Sequence, residues 1–171
     1  MTTINEDKLE FSFNFDAIKL DDTNYYRNQF QKIQNNLKVI DILAIDNQKN
    51  YFIEIKDYTY PNTKSIKQIE LIDAIIKKVI CSLSMLYPMS YKAKDEEERE
   101  IAKQFFNKKS LTIVLHIEKP PITTKLEQSK WDFSELQMKL KKRLKNISNS
   151  VKVVSIKKMQ KVPWSVAIAT T

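Results

Sequence analysis

Three charged residues stand inside two very apolar segments of this chain. Asp41 lies within Val39-Ile40-Asp41-Ile42-Leu43, and Glu54 and Lys56 lie within Phe52-Ile53-Glu54-Ile55-Lys56. A charge is costly to bury unless it is paired or holds a metal. Two carboxylates a few Å apart, with a backbone carbonyl beside them, make a hard oxygen site suited to Mg²⁺. Such an ion polarises a phosphate oxygen and acidifies a water. A neighbouring lysine can orient that water and offset charge building up on the phosphate. Phosphodiester hydrolysis needs these parts in one place.

The elements that must gather them are two strands. Residues 38–46 and 51–58 are rich in β-formers, and Asn47-Gln48-Lys49-Asn50 between them is a polar turn, so the pair reads as a hairpin. Residues two apart on a strand share a face, so Glu54 and Lys56 point the same way. With a turn of two or four residues, position 46 lies opposite 51. Asp41 then faces Lys56, Leu43 faces Glu54, and the three charges share a patch within about 5–8 Å of each other. An odd turn or a bulge would change this.

At these residues the sequence resembles the PD-(D/E)xK nuclease superfamily, whose pattern is an acid in one strand followed by acid-any-lysine in the next. Here it stands as Asp41, twelve intervening residues, then Glu54-Ile55-Lys56. The resemblance covers about residues 38–117, including a helix and a strand after the hairpin. It implies a restriction-endonuclease-like α/β fold, a mixed sheet of about four to five strands flanked by helices. It further implies Asp41, Glu54 and the backbone carbonyl of Ile55 as ligands of Mg²⁺ or Mn²⁺, with Lys56 as the water-positioning residue. There are departures. Ile40 stands where a proline often precedes the first acid. Many members carry a glutamate on a preceding helix, and the helix expected at 22–35 has none, which leaves Asp21 or Asp22 as stand-ins. Gln68 lacks a tyrosine four residues on, where Ile72 stands.

The rest of the chain supplies the frame. Residues 9–15 alternate as a half-buried strand, and 22–35 place Tyr26, Phe30 and Ile33 at helical spacing after the capping residues Asp22 and Thr23. Tyr60-Pro61-Asn62 breaks the chain. A long helix over about 64–87 follows, with Ile69, Ile72, Ile76, Val79, Leu83 and Leu86 as its buried stripe and Pro88 as its stop. By helical angle Lys67 and Lys78 lie far from that stripe and read as surface residues; with Lys64 and Lys77 they are candidate phosphate contacts. Asp95, with Glu98 three residues later, opens another helix whose acidic first turn reads as solvated. A strand at 110–117, a loop with Pro120 and Pro121, a helix from Asp132 or Ser134 to about 147, and a final strand at 151–156 complete the reading. The last helix has Phe133, Leu136, Leu140, Leu144 and Ile147 on one face. His116 reads as part of a strand face with Val114, Asp46 as a turn former, Asp57 as pointing away from Lys56, and Trp131 and Trp164 as core or loop anchors.

Composition excludes several alternatives. The chain has 171 residues, which fits one domain over 1–171, and it contains no glycine. P-loops, dinucleotide fingerprints and nucleophile elbows are therefore ruled out, and left-handed backbone positions fall mainly to asparagine. One cysteine, Cys81, forms no internal disulfide or thiolate zinc site, and a single histidine leaves any triad one candidate base. No secretory signal and no apolar run of about 18 residues is visible, which gives a cytoplasmic reading. The net charge of +8 makes a polyanion partner plausible. The excess is concentrated in the C-terminal part, 132–161, where Lys139, Lys142, Arg143, Lys157 and Lys158 are the candidate nucleic-acid contacts. Lysine suits phosphates rather than base edges, so contact should be weakly sequence-specific. The expected partner is DNA, with RNA as an option, and a homodimer or larger complex is expected on general grounds. The alternative reading is an inactive nucleic-acid-binding or protein-interaction module on the same fold.

Overall fold

The computed structural model describes residues 1–59, 67–119, 132–159 and 161–169. The break at Tyr60-Pro61-Asn62, Lys64, the prolines Pro120 and Pro121, and Trp131 lie outside the described residues. The strands are β1 (Thr2–Glu6), β2 (Leu9–Phe13), β3 (Asp16–Lys19), β4 (Ile42–Ile45), β5 (Asn50–Asp57), β6 (Leu111–Glu118), β7 (Ser150–Val154) and β8 (Ser165–Ile168). The helices are α1 (Asn24–Asn28), α2 (Gln68–Lys92), α3 (Glu96–Asn107) and α4 (Phe133–Leu144).

The main sheet has the order β3-β4-β5-β6-β7. Its first three strands are antiparallel neighbours, and β5, β6 and β7 run parallel. This is a mixed α/β sheet within the four to five strands that the sequence led us to expect, although the strand expected at 9–15 lies in the other sheet and β3 takes the fifth place. The central strand β5 is buried from Asn50 through Ile55, which is why it reads as an almost unbroken apolar run. Its two faces serve two cores. Leu43, Phe52, Leu115 and Val153 pack under the helices, and Phe52 stacks on Phe105 of α3 at 5.4 Å. Ile42, Ile53, Ile55 and Val114 pack on the other side, against a second antiparallel sheet of order β1-β2-β8. Phe11, Phe13 and Trp164 fill that second core, so Trp164 is a core anchor as expected. Strands β1, β3 and β8 were not foreseen, and the strand expected last is followed by β8.

Two helix boundaries differ from expectation. The 22–35 segment is the short α1 plus a 3-10 turn at Phe30–Lys32, and Ile33 is exposed. Helix α2 runs through Pro88 to Lys92. A proline inside a helix costs about 3 kcal/mol. Met85 and Leu86 before it and Met89 after it are all fully buried in one seam, and each such side chain contributes about 1.5–3 kcal/mol. Packing outweighs the break.

The acidic start of α3 is only partly solvated. Asp95 caps it, accepting from the Glu98 N–H at 3.2 Å. Glu98 itself is buried and accepts the backbone N–H of Asn24 at 2.6 Å and of Tyr25 at 3.0 Å, donors that α1 leaves free at its first turn. Asp132 caps α4 through the N–H groups of Ser134 and Glu135; the expected apolar face is buried up to Leu144, while Ile147 is exposed. Among the described residues the left-handed backbone positions are Asp7, Asn36 and Lys161, so asparagine does not dominate them as expected. Among the described residues no helix is long and apolar enough to cross a membrane.

Replacing Glu98 with alanine strands two buried N–H groups, and we expect a loss of about 2–4 kcal/mol in urea unfolding; Glu98→Gln, which keeps one acceptor, should lose less.

Candidate functional site

The hairpin register differs from the expected one by two. Ile45 pairs with Asn50, Leu43 with Phe52 and Ile42 with Ile53, which continues to Asp41 opposite Glu54 rather than opposite Lys56. The reason is Asp46. Its N–H donates to the Lys49 carbonyl at 3.0 Å and its carboxylate accepts the N–H groups of Gln48 and Lys49 at 2.7 and 2.6 Å, so it faces Lys49 and closes a tight turn around Asn47-Gln48. A slip of two keeps every side chain on its face. Asp41, Glu54 and Lys56 therefore still share one face, and that face lies under α2.

Both carboxylates are buried, Asp41 at 5% exposure and Glu54 at 1%. Asp41 is held by its own loop: its carbonyl accepts the Leu20 N–H at 2.8 Å and its Oδ2 accepts the Ile55 N–H at 2.7 Å. Glu54 Oε1 meets the Lys56 ammonium at 2.5 Å. The fourth member is Lys78 from α2. Its Nζ stands 2.8 Å from Asp41 Oδ1 and 2.8 Å from Glu54, so that one ammonium bridges the two carboxylates. Ser82, one turn on, donates to the Lys78 carbonyl and accepts the Ile40 N–H at 2.9 Å, which ties α2 to the entry of β4.

Lys78 is the residue that the sequence reading misplaced. The buried residues of α2 are Leu71, Ile72, Ile75, Val79, Ser82, Met85, Leu86 and Met89. Ile69 is exposed, and Ile76 and Leu83 only flank the core. The true stripe shares Ile72, Val79 and Leu86 with the one chosen by counting isoleucines and leucines but is turned from it by about 80°. Lys78 falls at its edge. The available signal was a lysine three residues from Ile75, four from Ser82 and seven from Leu71 and Met85. Lys67 and Lys77 are exposed, as expected for Lys67.

The electrostatics follow from the burial. Burial, and then the charge of Asp41, push the Glu54 carboxyl up, against the pull of Lys56 and Lys78. Burial alone would lower the Lys78 ammonium, but Glu54 and Asp41 more than offset it and hold it above its usual value. Asp21 belongs to the same neighbourhood, in the 3-10 turn Leu20–Asp22. Burial, then Asp41 and Glu6, raise its carboxyl, and its Oδ1 is buried with no hydrogen bond among the described residues. Asp22 turns instead to Arg27. Of the two stand-in acids, Asp21 is the one beside Asp41.

Among the described residues no group of three or more His, Cys, Asp or Glu side chains is placed to hold a metal. What the site offers is two carboxylates and the Ile55 carbonyl. In a strand a residue's N–H and C=O face the same edge, so this carbonyl faces the Asp41 side with its N–H. Mg²⁺ keeps several waters and asks for only one or two carboxylates, so hard oxygen donors converging on a position already filled by a cation fit it.

The basic residues divide. Lys139 meets Glu135 at 2.7 Å and Gln68 at 2.6 Å, and Arg143 meets Asp73 at 3.1 Å, so both tie α4 to α2 while remaining exposed. Lys142, Lys157 and Lys158 are exposed. Lys119, which the sequence reading did not single out, follows β6 on the face of Lys56, since Lys56 pairs with Ile117. Its ammonium lies 4.0 Å above the Phe133 ring and that of Lys158 lies 6.0 Å from it. Burial, then the Lys158 charge, lower the Lys119 ammonium. His116 is buried on the Val114 face, edge-on to Phe11 and bonded to Glu118 at 2.9 Å, outside the cluster. Asp57 bonds to Thr59.

The molecule so defined is a mixed α/β protein whose central hairpin carries a four-residue charge cluster around two buried carboxylates. No family model matches the chain, and no solved structure matches it. A curated protein named cysteine–tRNA ligase, from Neisseria meningitidis serogroup A / serotype 4A, is 31% identical to it over 211 aligned positions. The match takes in 99% of this chain and 30% of that protein, so the chain spans less than a third of its relative's length.

Removing the Lys78 ammonium leaves two buried carboxylates facing each other. Lys78→Met should lose about 3–5 kcal/mol at pH 8. The loss should shrink as pH falls, because the Glu54 carboxyl, pushed up by burial, takes a proton more readily than an ordinary glutamate and so relieves the repulsion. The wild-type contribution of Lys78 has the opposite limit. A raised lysine is fully stabilising below its unfolded value near ~10.4 and loses that stabilisation only as pH rises through the folded value. Urea unfolding of both proteins at pH 5 and pH 8 reads the difference.

Proposed function

We propose that this chain is a divalent-metal-dependent nuclease of the restriction-endonuclease-like fold that hydrolyses DNA phosphodiester bonds. One observation carries the reading: oxygens of Asp41 and Glu54 each lie 2.8 Å from a single cation position, with the Lys56 ammonium on the same Glu54 carboxylate. The order of hairpin, helix and strand in β4, β5, α2 and β6 agrees with it, although α3 is inserted before β6.

Asp41, Glu54 and the Ile55 carbonyl would hold Mg²⁺ or Mn²⁺. The bound ion would supply Lewis-acid polarisation of a phosphate oxygen and a more acidic water. Lys56, 30% exposed against 15% for Lys78, is the ammonium that reaches solvent. It would orient the attacking water and then face the negative charge growing on the phosphate, where a fixed cation is worth most. Ile55 is fixed by its N–H bond to Asp41, which holds its carbonyl and the Lys56 backbone in register. The cations at the ends of the parallel strands, Lys157 and Lys158 with Lys119, would meet neighbouring phosphates, and Lys139, Lys142 and Arg143 would extend the basic surface along α4. Ligands of α/β sheets gather at the carboxyl ends of parallel strands, and these cations follow β6 and β7.

A second reading is an inactive nucleic-acid-binding module. The Lys78 ammonium favours it, because the two carboxylates are already neutralised without a metal.

Incubation with plasmid, linear DNA and RNA in Mg²⁺ or Mn²⁺ separates the two. RNA belongs in the assay because the relative's name speaks of a tRNA. We expect cleavage by the native chain and a fall of about a hundredfold or more in Asp41→Asn, Glu54→Gln and Lys56→Ala. Cleavage that persists in all three discards the site. Absence of cleavage, with affinity for DNA that drops steeply as salt rises, selects the binding module.

A further inference from the structure

Lys78 sits where a metal would. Its ammonium lies 2.8 Å from both Asp41 and Glu54, it comes from a different element than either, and the sheet would keep the two carboxylates facing each other without it. The Lys78 stem is four flexible carbons, and its side chain keeps 15% exposure, so it is not sealed from solvent. The backbone around it is fixed by the Ser82 bonds to Lys78 and Ile40, so only the side chain is free to change place.

The charge count says what that movement would need. The acids facing the position are Asp41, Glu54 and Asp21; the cations are Lys56 and Lys78, while Lys19 on β3 is paired with Glu6. With all of these ionised the resting cluster carries one net negative charge. A divalent ion turns that into one net positive charge, and a single phosphodiester restores neutrality. Buried clusters are held near neutrality because uncompensated charge is expensive there.

We infer that Lys78 is a resident cation which a divalent metal displaces, and that the displaced ammonium is received by a substrate phosphate, so that metal and nucleic acid each strengthen the other's binding. The inference rests on the nuclease reading of this site and adds to it the way the site is loaded. Without a phosphate the metal competes with an ammonium already bonded to both carboxylates. With a phosphate present the ammonium has a new partner. Coupling of this kind is reciprocal by linkage.

Two measurements test it. The first is calorimetric titration of Mn²⁺ into the native chain, Lys78→Met and Lys78→Gln, with and without a non-cleavable phosphorothioate DNA duplex. The variants should bind Mn²⁺ at least roughly tenfold more tightly than the native chain when DNA is absent, since a competing charge a few Å away is gone. The duplex should tighten Mn²⁺ binding to the native chain by several-fold more than to the variants, in which only the direct contact of phosphate with metal remains to couple the two. The second needs no variant: reductive methylation of the native chain, read at Lys78 by mass spectrometry. Labelling should be low without metal, rise several-fold with saturating Mn²⁺, and fall again when the duplex is added. Equal or weaker Mn²⁺ binding in the variants, or Lys78 labelling that ignores Mn²⁺, overturns the inference while leaving a metal-binding nuclease site standing. If none of the three proteins binds Mn²⁺, the inference and the nuclease reading fall together.

Discussion

Two carboxylates taken out of water under one helix set the terms for the rest of this structure. Each buried ion costs several kcal/mol after relaxation, and the cost is met only by close, well-directed partners. Asp41 and Glu54 have such partners: the Ile55 N–H, the Lys56 ammonium and, bridging both acids, the Lys78 ammonium. The bridge fixes how α2 must lie. Its buried row has to carry a lysine in the middle, with Ser82 one turn on to bond the backbone at Ile40, and the apolar residues Leu71, Ile75, Met85 and Met89 on either side. A helix turned away from this row would leave Asp41 with no ammonium and Glu54 with Lys56 alone.

The sheet is built so that this cluster stays put. Strand β5 is covered on both sides, by helices on the face of the charges and by the small β1-β2-β8 sheet on the other, and it is paired on both edges by β4 and β6. Buried Asn50 anchors its start by donating from Nδ2 to the Phe105 carbonyl at 2.8 Å. The charged positions lie past the middle of the strand, beyond its last pair with β4, Ile42 with Ile53. Rigid backbone behind the side chains is what a site for a charged ligand requires. The same carboxyl end of the parallel strands is where Lys119, Lys157 and Lys158 follow β6 and β7.

The cluster also explains why two readings of the molecule compete on the same atoms. Oxygens that converge on an ammonium converge equally on a divalent ion, since both are cations and both are satisfied by the same carboxylates. What differs is size, charge and the number of waters retained. A protein that keeps its own lysine in the position has a stable resting state without metal.

How much of this was legible beforehand follows the reach of local rules. The face shared by Asp41, Glu54 and Lys56 was legible because strand alternation has a period of two and survives any even slip; the register itself was not, because Asp46 spends its carboxylate on the turn, a choice between ladder and loop that the residue type leaves open. The mixed sheet, the caps at Asp95 and Asp132 and the apolar face of α4 were visible in spacing and capping chemistry. Composition alone excluded glycine-loop chemistry. The orientation of α2, the run of that helix through Pro88, the burial of Glu98 and the arrival of Lys78 and Asp21 at the cluster were decided only in three dimensions. Each depends on groups dozens of residues away that share one desolvated volume, and a lysine on a helix is indistinguishable from a solvated one until the carboxylates that need it are placed beside it.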